Sequence, residues 1–572
     1  MIGWLRDIVR RSPLVGPIAD GLSFIKSPQT MRRLLADARQ THANAAFART
    51  LPPPRADAPL ALVLSMTNFS YGVKLECMLS LALRLRGWRV QVLTSGLYTN
   101  ARRIFAAYGI EEMVAFETLV ENSEAESAIR AEVARRAAER MDFQSVMAWT
   151  YRDAWIGPQM LSSVSRQKFV GAPDPRDASV RAALLQQLPV TLSFAHAAER
   201  RLAAKRPDLI LVNEPNFHVL GPFVDVAIAR SIPAIHFIQP SRDDALVLKR
   251  LTKGTRRIHP NSISGETLER LLAEPWSDAQ EAALDFEFRQ RYGGTWRVQA
   301  RNQPGVVEMT GEEIHRTLGL DRGKPTAVLF SHVLWDANLF YGEDLFENYG
   351  HWFVESVKAA AANPRVNWLI KLHPANLWKR KMSGVTDEYG EIALIREHVG
   401  ELPGHVRMLP PDTPISTLSL FRMIDAGITV RGSIGYELPC FGVPVVTAGT
   451  GRYSGFRFTL DHASAKDYLA TLARLETLPR LSAEAVRRAK VHAYALFVRR
   501  PWLYTSFRSE FAPDPTDPLF QNLYPTVRSH LDIRRNGDLD AFADWAVGSH
   551  NVDYLAGALP DARSVALRQH QE

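Results

Sequence analysis

Cysteine is nearly absent from this chain: Cys77 and Cys440, far apart and in unrelated surroundings, are the only two in 572 residues. A disulfide framework and a cysteine metal site are thereby excluded, and a reducing cytoplasm is the expected setting. No apolar run reaches the roughly 20 residues of a membrane-spanning helix. HExxH or paired-histidine spacing, a GxSxG elbow, zinc-finger spacing and an RNP-like aromatic motif are all missing. Zincin chemistry, a Ser/His/Asp hydrolase and the common nucleic-acid modules lose their support. Nucleic acid is not an expected partner, because outside the first fifty residues Lys and Arg are interspersed with acids.

Blocks of one charge are equally scarce, with one exception. The net charge is +8, and residues 1–50 hold eight Lys/Arg against three Asp. "MIGWLRDIVRRSPLVGPIADGLSFIKS" mixes Trp4, Leu5, Ile8 and Val9 with arginine at helical spacing, without the long apolar core of a secretory signal. Such a segment suits either an anionic membrane surface or a helix packed on its own domain.

What is present is ordinary globular material: 46% hydrophobic and 23% charged residues, in a chain long enough for two cores with extensions. A proline-rich linker, "LPPPRADAP" (residues 51–59), precedes "LALVLSMTN", which reads as a buried strand. A helical pattern over residues 72–86, stopped by Gly87, and a second strand, "WRVQVLTSG", complete a βαβ opening. "PDLILVNEPN" and "IPAIHFIQPS" repeat the rhythm, and residues 118–205 between them read as mostly helical. A second series follows "NQPG": strands in "KPTAVLFSHVLWD", "VNWLIKLHP", "HVRMLPPD", "DAGITVRGS" and "VPVVTAG". The expected fold is α/β, with domain boundaries at 1–56 (basic segment and linker), 57–300, 301–480 and 481–572. The last part reads as helices and irregular structure that cross back onto the first domain.

Ligands of parallel sheets gather beyond the carboxyl ends of the strands. In the second half those ends carry Ser331 and His332 with Asp336, Lys371 with His373, Asp412 with Thr413, Arg431 with Ser433 and Glu437, and Thr450 with Arg452 and Tyr453. This polar, partly cationic set suits a phosphorylated ligand with hydroxyls. In "TVRGSIGYELPCFGVPVVTAG", Gly432 and Gly435 allow a turn with open amides, Ser433 offers a hydroxyl, and the next helix presents free N–H groups to an anion. Glu437 is not a capping-box acid, since Tyr436 holds that position; it is expected to accept two hydrogen bonds from a ribose diol. His373, closing a strand and fixed by Pro374, is expected to donate to a phosphate oxygen, with Lys371 adding charge.

Taken together, "HVLWDANLF…HWFVESVKAA…WLIKLHPAN…ISTLSLFRMIDAGITVRGSIGYELPCFGVPVVTAGTGRYSGFRFT" resembles bacterial capsule and surface-polysaccharide biosynthesis proteins of the GT-B glycosyltransferase type. Trp335-Asp336, Trp352, His373-Pro374, Ser433-x-Gly435-x-Glu437, Gly442-x-Pro444-Val445, Gly449, Tyr453 and Phe458-Thr459 carry it, over about residues 325–500. The first half matches loosely, through "NEPN", "GPFVDVAIARSIPAIHF" and "ALVLKR". The resemblance implies a GT-B-like fold, two Rossmann-like domains facing a cleft with helical N- and C-terminal extensions. A nucleotide sugar would sit mainly on the second domain and a glycan or glycolipid acceptor on the first, at the inner face of the cytoplasmic membrane. The His-Pro pair and the Ser turn would hold the phosphate of a CMP-activated acidic sugar such as Kdo. Arg431 stands where relatives often carry a small or aromatic residue.

Positive charge growing on the sugar and negative charge on the leaving phosphate need helix N–H groups, Lys371, His373 and Arg431, and no metal or cofactor. Glu214 and Asp336 are the expected acceptor bases, with Asp243 third. A polyol-phosphate transferase, a sugar-nucleotide epimerase or a non-catalytic scaffold of polysaccharide assembly are the alternative readings.

Overall fold

The computed structural model describes residues 27–557 apart from 121–122, 301, 303–304, 337–338 and 515–516. The amphipathic stretch at residues 1–26 lies outside the described residues. Two sheets organise the molecule. The first unites β1 (Leu60–Leu64), β2 (Arg89–Thr94), β3 (Met113–Ala115), β4 (Leu209–Val212), β5 (Ala234–Ile238) and β6 (Ala245–Leu251). The second holds β7 (Thr326–Phe330), β8 (Asn367–Lys371), β9 (Val406–Leu409), β10 (Ala426–Thr429) and β11 (Val445–Thr447). Three more strands, β12 (Pro501–Leu503), β13 (Phe507–Phe511) and β14 (Gln521–Pro525), lie in the C-terminal part. The strand orders are β12-β6-β5-β4-β1-β2-β3 and β11-β10-β7-β8-β9, with β13 and β14 as a separate hairpin. The second sheet is all parallel, and the first is parallel except at its β6 edge, where β6 runs antiparallel to β5. The fold is α/β and GT-B-like: two Rossmann-like units facing a cleft.

The strands were legible because both sheet faces are covered, so parallel strands read as continuous apolar runs. All five residues of β1 and all five of β8 are buried. The helix Ser70–Leu85 buries thirteen of its sixteen residues, because the C-terminal helix Asp538–Gly548 covers its outer side. It ends as the sequence requires, with Gly87 at φ +78° just beyond it. The helical stretch between β3 and β4 is built chiefly of Ser123–Ala138, Ile156–Lys168 and Ala178–Ala204, the last two packing on one face of the first sheet.

The C-terminal part does return to the first unit, but it is not simply a helical extension. β12 pairs antiparallel with β6 and closes the edge of the first sheet. Pro501 is tolerated there as the first residue of an edge strand. Arg500, fully buried, fixes the return: it donates to the carbonyls of Leu248 (2.8 Å), Pro260 (3.0 Å) and Tyr554 (3.2 Å) and pairs with Asp553. At the other end of the chain the helix Pro28–Asn44 is tied in by a buried pair, Asp37 with Lys74 at 2.7 Å, to which Asn522 and Tyr524 of β14 add hydrogen bonds. Two basic residues of this end are spent on the protein itself. Arg33 pairs with Asp517, and Arg49 donates to the carbonyls of His42 and Ala107. No helix among the described residues is long and apolar enough to cross a membrane.

Candidate active site between the two sheets

In the second sheet β7 has β10 on one side and β8 on the other, so the chain reverses direction across the sheet between β7 and β10. The crevice outside their carboxyl ends is where such sheets bind ligands. The cleft found there has a volume of about 420 Å³, and the carboxyl ends of β4 and β5 in the first sheet form its opposite wall. His332, Asp336, His373, Arg431, Gly432, Ser433 and Glu214 all line it.

His332 follows β7 in the left-handed backbone region, at φ +62°. Its Nε2 faces the Val430 N–H at 3.3 Å and the Thr429 hydroxyl at 2.6 Å, and that hydroxyl oxygen in turn accepts the Gly432 N–H at 3.1 Å. An amide can only donate, so Nε2 must accept and a neutral His332 carries its proton on Nδ1. Burial, with the nearby cations, pushes the ring down to about 3. The turn joining β10 to the next helix is thus clamped from β7, and there is no room for a side chain at Gly432: a Cβ would lie 2.9 Å from Thr429 Oγ1 and 3.0 Å from His332 Cε1.

His373 has the complementary arrangement. Its Nδ1 accepts the Ala375 N–H at 3.1 Å, so the neutral ring bears its proton on Nε2, which meets no protein acceptor among the described residues. Burial, reinforced by Lys371 and Lys379, pushes it down to about 3. His373 is therefore a neutral hydrogen-bond donor at physiological pH. Pro374 caps the helix Ala375–Met382 that supplies the anchoring amide. Lys371, the last residue of β8, is buried behind this point without an ion-pair partner among the described residues, and burial lowers it to about 8.

Ser433 opens a helix of only four residues, Ile434–Glu437, which Pro439 converts into a 3-10 turn, Leu438–Phe441. Its Oγ accepts from Arg291 at 3.3 Å. Glu437 is turned away from the cleft: it is fully buried, hydrogen-bonded by the Tyr292 hydroxyl and paired with Arg291 Nε at 3.2 Å. The carboxylate expected on a ribose diol thus holds the turn to the helix Asp278–Tyr292 instead. Tyr453 and Gly435 also lie behind the wall, as does Ser331, whose hydroxyl donates to the His332 carbonyl at 3.0 Å. Arg431 reaches the cleft while paired with the partly buried Asp344, and its Nε and Nη1 have no hydrogen-bond partner among the described residues.

The three expected bases differ in environment. Asp336 sits 2.6 Å from Lys379 and 3.5 Å from Arg166; burial opposes its charge, but the two cations outweigh it and hold the carboxyl below the ordinary range. Glu214, at φ +52° just beyond β4, is more than half exposed and meets one cation, Arg166, at 3.2 Å. Asp243 is occupied with the backbone amides of Arg297 and Val298, each at 2.8 Å, and is not part of the cleft wall.

Apart from Glu214, sequence reasoning missed the opposite wall: Arg166, Asn216, His236, His259 and Tyr341 all line the cleft. His236 was hidden inside the apolar strand "AIHFI". His259 carried a readable signal, a second His-Pro pair in "RRIHPN". Arg452, noted at a strand end, is also in the wall. Among the described residues no group of three His, Cys, Asp or Glu is arranged to hold a metal ion.

No protein-family model and no curated protein matches the chain. Solved structures similar in fold include KpsC of Thermosulfurimonas dismutans, a β-Kdo 2,7 transferase, at 15% identity over 56% of this chain and 84% of that one, with a TM-score of 0.30. The UDP-GlcNAc 2-epimerase of Neisseria meningitidis, solved with UDP-GlcNAc, is 11% identical over 76% and 95% of the two chains, TM-score 0.25. The glycosyltransferase SnogD of Streptomyces nogalater is 13% identical over 78% and 96%, TM-score 0.22. Likeness at this level leaves function to be read from the cleft itself.

Proposed function

We propose that the protein is a glycosyltransferase that moves a sugar from a nucleotide-sugar donor to a surface polysaccharide or glycolipid acceptor. The observation that carries this reading is the His373 tautomer: Nδ1 is committed to the Ala375 amide at 3.1 Å, leaving Nε2–H for the cleft at the switch point of the second sheet. A neutral N–H donor beside Gly432 and Ser433, with Lys371 behind it, suits a phosphate oxygen that gains charge as its bond to the sugar breaks. Arg431, with two free guanidinium N–H positions, adds to this set.

In the proposed step the acceptor hydroxyl oxygen attacks the anomeric carbon and the bond from that carbon to the phosphate oxygen breaks. The electron pair leaves with the nucleoside phosphate, and the hydroxyl proton passes to a carboxylate of the cleft wall. Glu214 is the better base of the two in the wall, because the cations that hold the Asp336 carboxyl low also make it a weak proton acceptor. The step needs no metal. A CMP-linked acidic sugar such as Kdo is the favoured donor, since the cleft wall gathers Arg166, Arg431 and Arg452. Work on a surface glycan places the protein at the inner membrane face, where residues 1–26, with their arginines, would meet anionic lipid.

A thermal-shift panel of CMP, CDP, UDP, GDP and TDP on the whole chain tests this, since a ligand stabilises the state that it binds. Selective stabilisation by CMP is expected. A melting temperature unmoved by any nucleotide at millimolar concentration would contradict the reading.

A further inference from the structure

The cleft contains two His-Pro pairs, one from each unit, built alike. His373 Nδ1 accepts the N–H of Ala375 and His259 Nδ1 accepts the N–H of Asn261, both two residues on and both at 3.1 Å. Each ring therefore keeps its proton on Nε2. At His373 that nitrogen has open space. At His259 it meets the Arg452 guanidinium, Nη2 to Nε2 at 2.9 Å.

That contact cannot be a satisfied hydrogen bond. The Asn261 amide and the arginine both only donate, and an imidazole offers at most one lone pair. With Nδ1 taken by the amide, two N–H groups point at each other across 2.9 Å. Arg452 has no carboxylate partner among the described residues, and its Nε is buried without a hydrogen bond. Beside them His236, 1% exposed on β5, has neither ring nitrogen hydrogen-bonded among the described residues. The carboxylates of the wall are already committed: Glu214 to Arg166, Asp336 to Lys379 and Arg166.

We propose that His259, Arg452 and His236 form a second anion position in the cleft, across from His373 and Ser433, which takes the carboxylate or phosphate oxygens of a ligand carrying a second negative group. An oxyanion placed among them accepts from His259 Nε2–H, from Arg452 and from a His236 N–H, and removes the opposition of donors. The proposal deepens the donor reading above and rests on it for the identity of the ligand: the second group is either the acid group of the transferred sugar or the outer phosphate of a nucleoside diphosphate.

Calorimetric titrations of the full chain and of R452M, H259Q and H373Q, each checked for folding by circular dichroism, use four probes: CMP, CDP, CMP-N-acetylneuraminate and inorganic pyrophosphate. R452M and H259Q are expected to lose tenfold or more in affinity for a doubly anionic probe while binding CMP as before. A loss confined to CMP-N-acetylneuraminate identifies the sugar carboxylate as the occupant, and a loss confined to CDP the outer phosphate. H373Q is expected to weaken CMP itself. Equal losses for CMP and the doubly anionic probes, or none in R452M and H259Q, would overturn the second position. Pyrophosphate separates the two failures. If no nucleotide binds but pyrophosphate does, and R452M abolishes it, the anion position stands and the donor reading falls; if pyrophosphate does not bind either, both fall. Should R452M not fold, R452K, which keeps the charge but not the planar fork, is expected to give an intermediate loss, and full retention would overturn the proposal.

Discussion

The Tyr453 hydroxyl donates to the Gly432 carbonyl at 2.8 Å, and its ring occupies the space in which a side chain at Gly435 would have to lie. A Cβ built on Gly435 comes within 1.9 Å of the Tyr453 oxygen and 2.2 Å of its Cζ. The backbone at Gly435 is not left-handed, so the glycine serves close packing rather than an unusual turn. Gly435→Ala is expected to destabilise the protein by about 1–3 kcal/mol, read as a lower urea midpoint, and to weaken nucleotide binding because the Ser433 turn is displaced. An unchanged midpoint would show that Tyr453 does not hold the turn.

Acid sensitivity follows from the buried histidines. His492 is fully buried among Tyr436, Tyr453, Phe456 and Phe458, and burial pushes it down to about 3. Below its ordinary value of about 6.5 the unfolded chain takes up a proton that the folded ring refuses, so stability falls as pH drops from about 6.5 toward 3. Burial likewise pushes His236, His332 and His373 down to about 3. His492→Phe removes one such group that is not itself part of the cleft wall. Urea midpoints at pH 7.5 and 5.5 are expected to differ less in H492F than in the wild type, by roughly 1 kcal/mol of stability over the whole interval. Identical pH dependence would show that His492 titrates normally.

The two wall carboxylates are separable by kinetics. Glu214→Gln is expected to lower kcat by about 10²–10⁴-fold with little change in donor affinity, since it removes the proton acceptor while Arg166 keeps Asp336 as a partner. Asp336→Asn leaves Lys379 and Arg166 without their shared partner and is expected to alter binding of the donor more than kcat. The reverse pattern, measured under saturating donor and acceptor, would move the base to Asp336.

Much of the fold could be read in advance. Nine of the parallel-sheet strands appear in sequence as apolar runs because helices cover both faces. β3 and β12, three residues each, and the hairpin β13–β14 carry no such signal; they exist through their partners, β12 through its pairing with β6. The second-sheet half of the cleft was legible because strand-end residues project into one crevice, and His332, His373, Arg431 and Ser433 do line the cleft. The orientation of Glu437 was not legible. It depends on Tyr292 and Arg291, some 145 residues away, which claim its carboxylate. Apart from Glu214, the first-sheet wall was missed for a similar reason: His236 is the same histidine in sequence whether it fills a core or faces a ligand.

In the proposed function, His373 donates to a nucleotide phosphate. Calorimetric titration of CMP into the wild type and into H373Q, at pH 7.5 and constant salt, tests it most directly. Saturable 1:1 binding to the wild type is expected, weakened at least tenfold in H373Q while the folded signal of the variant is kept. Equal affinity in the two proteins would contradict it.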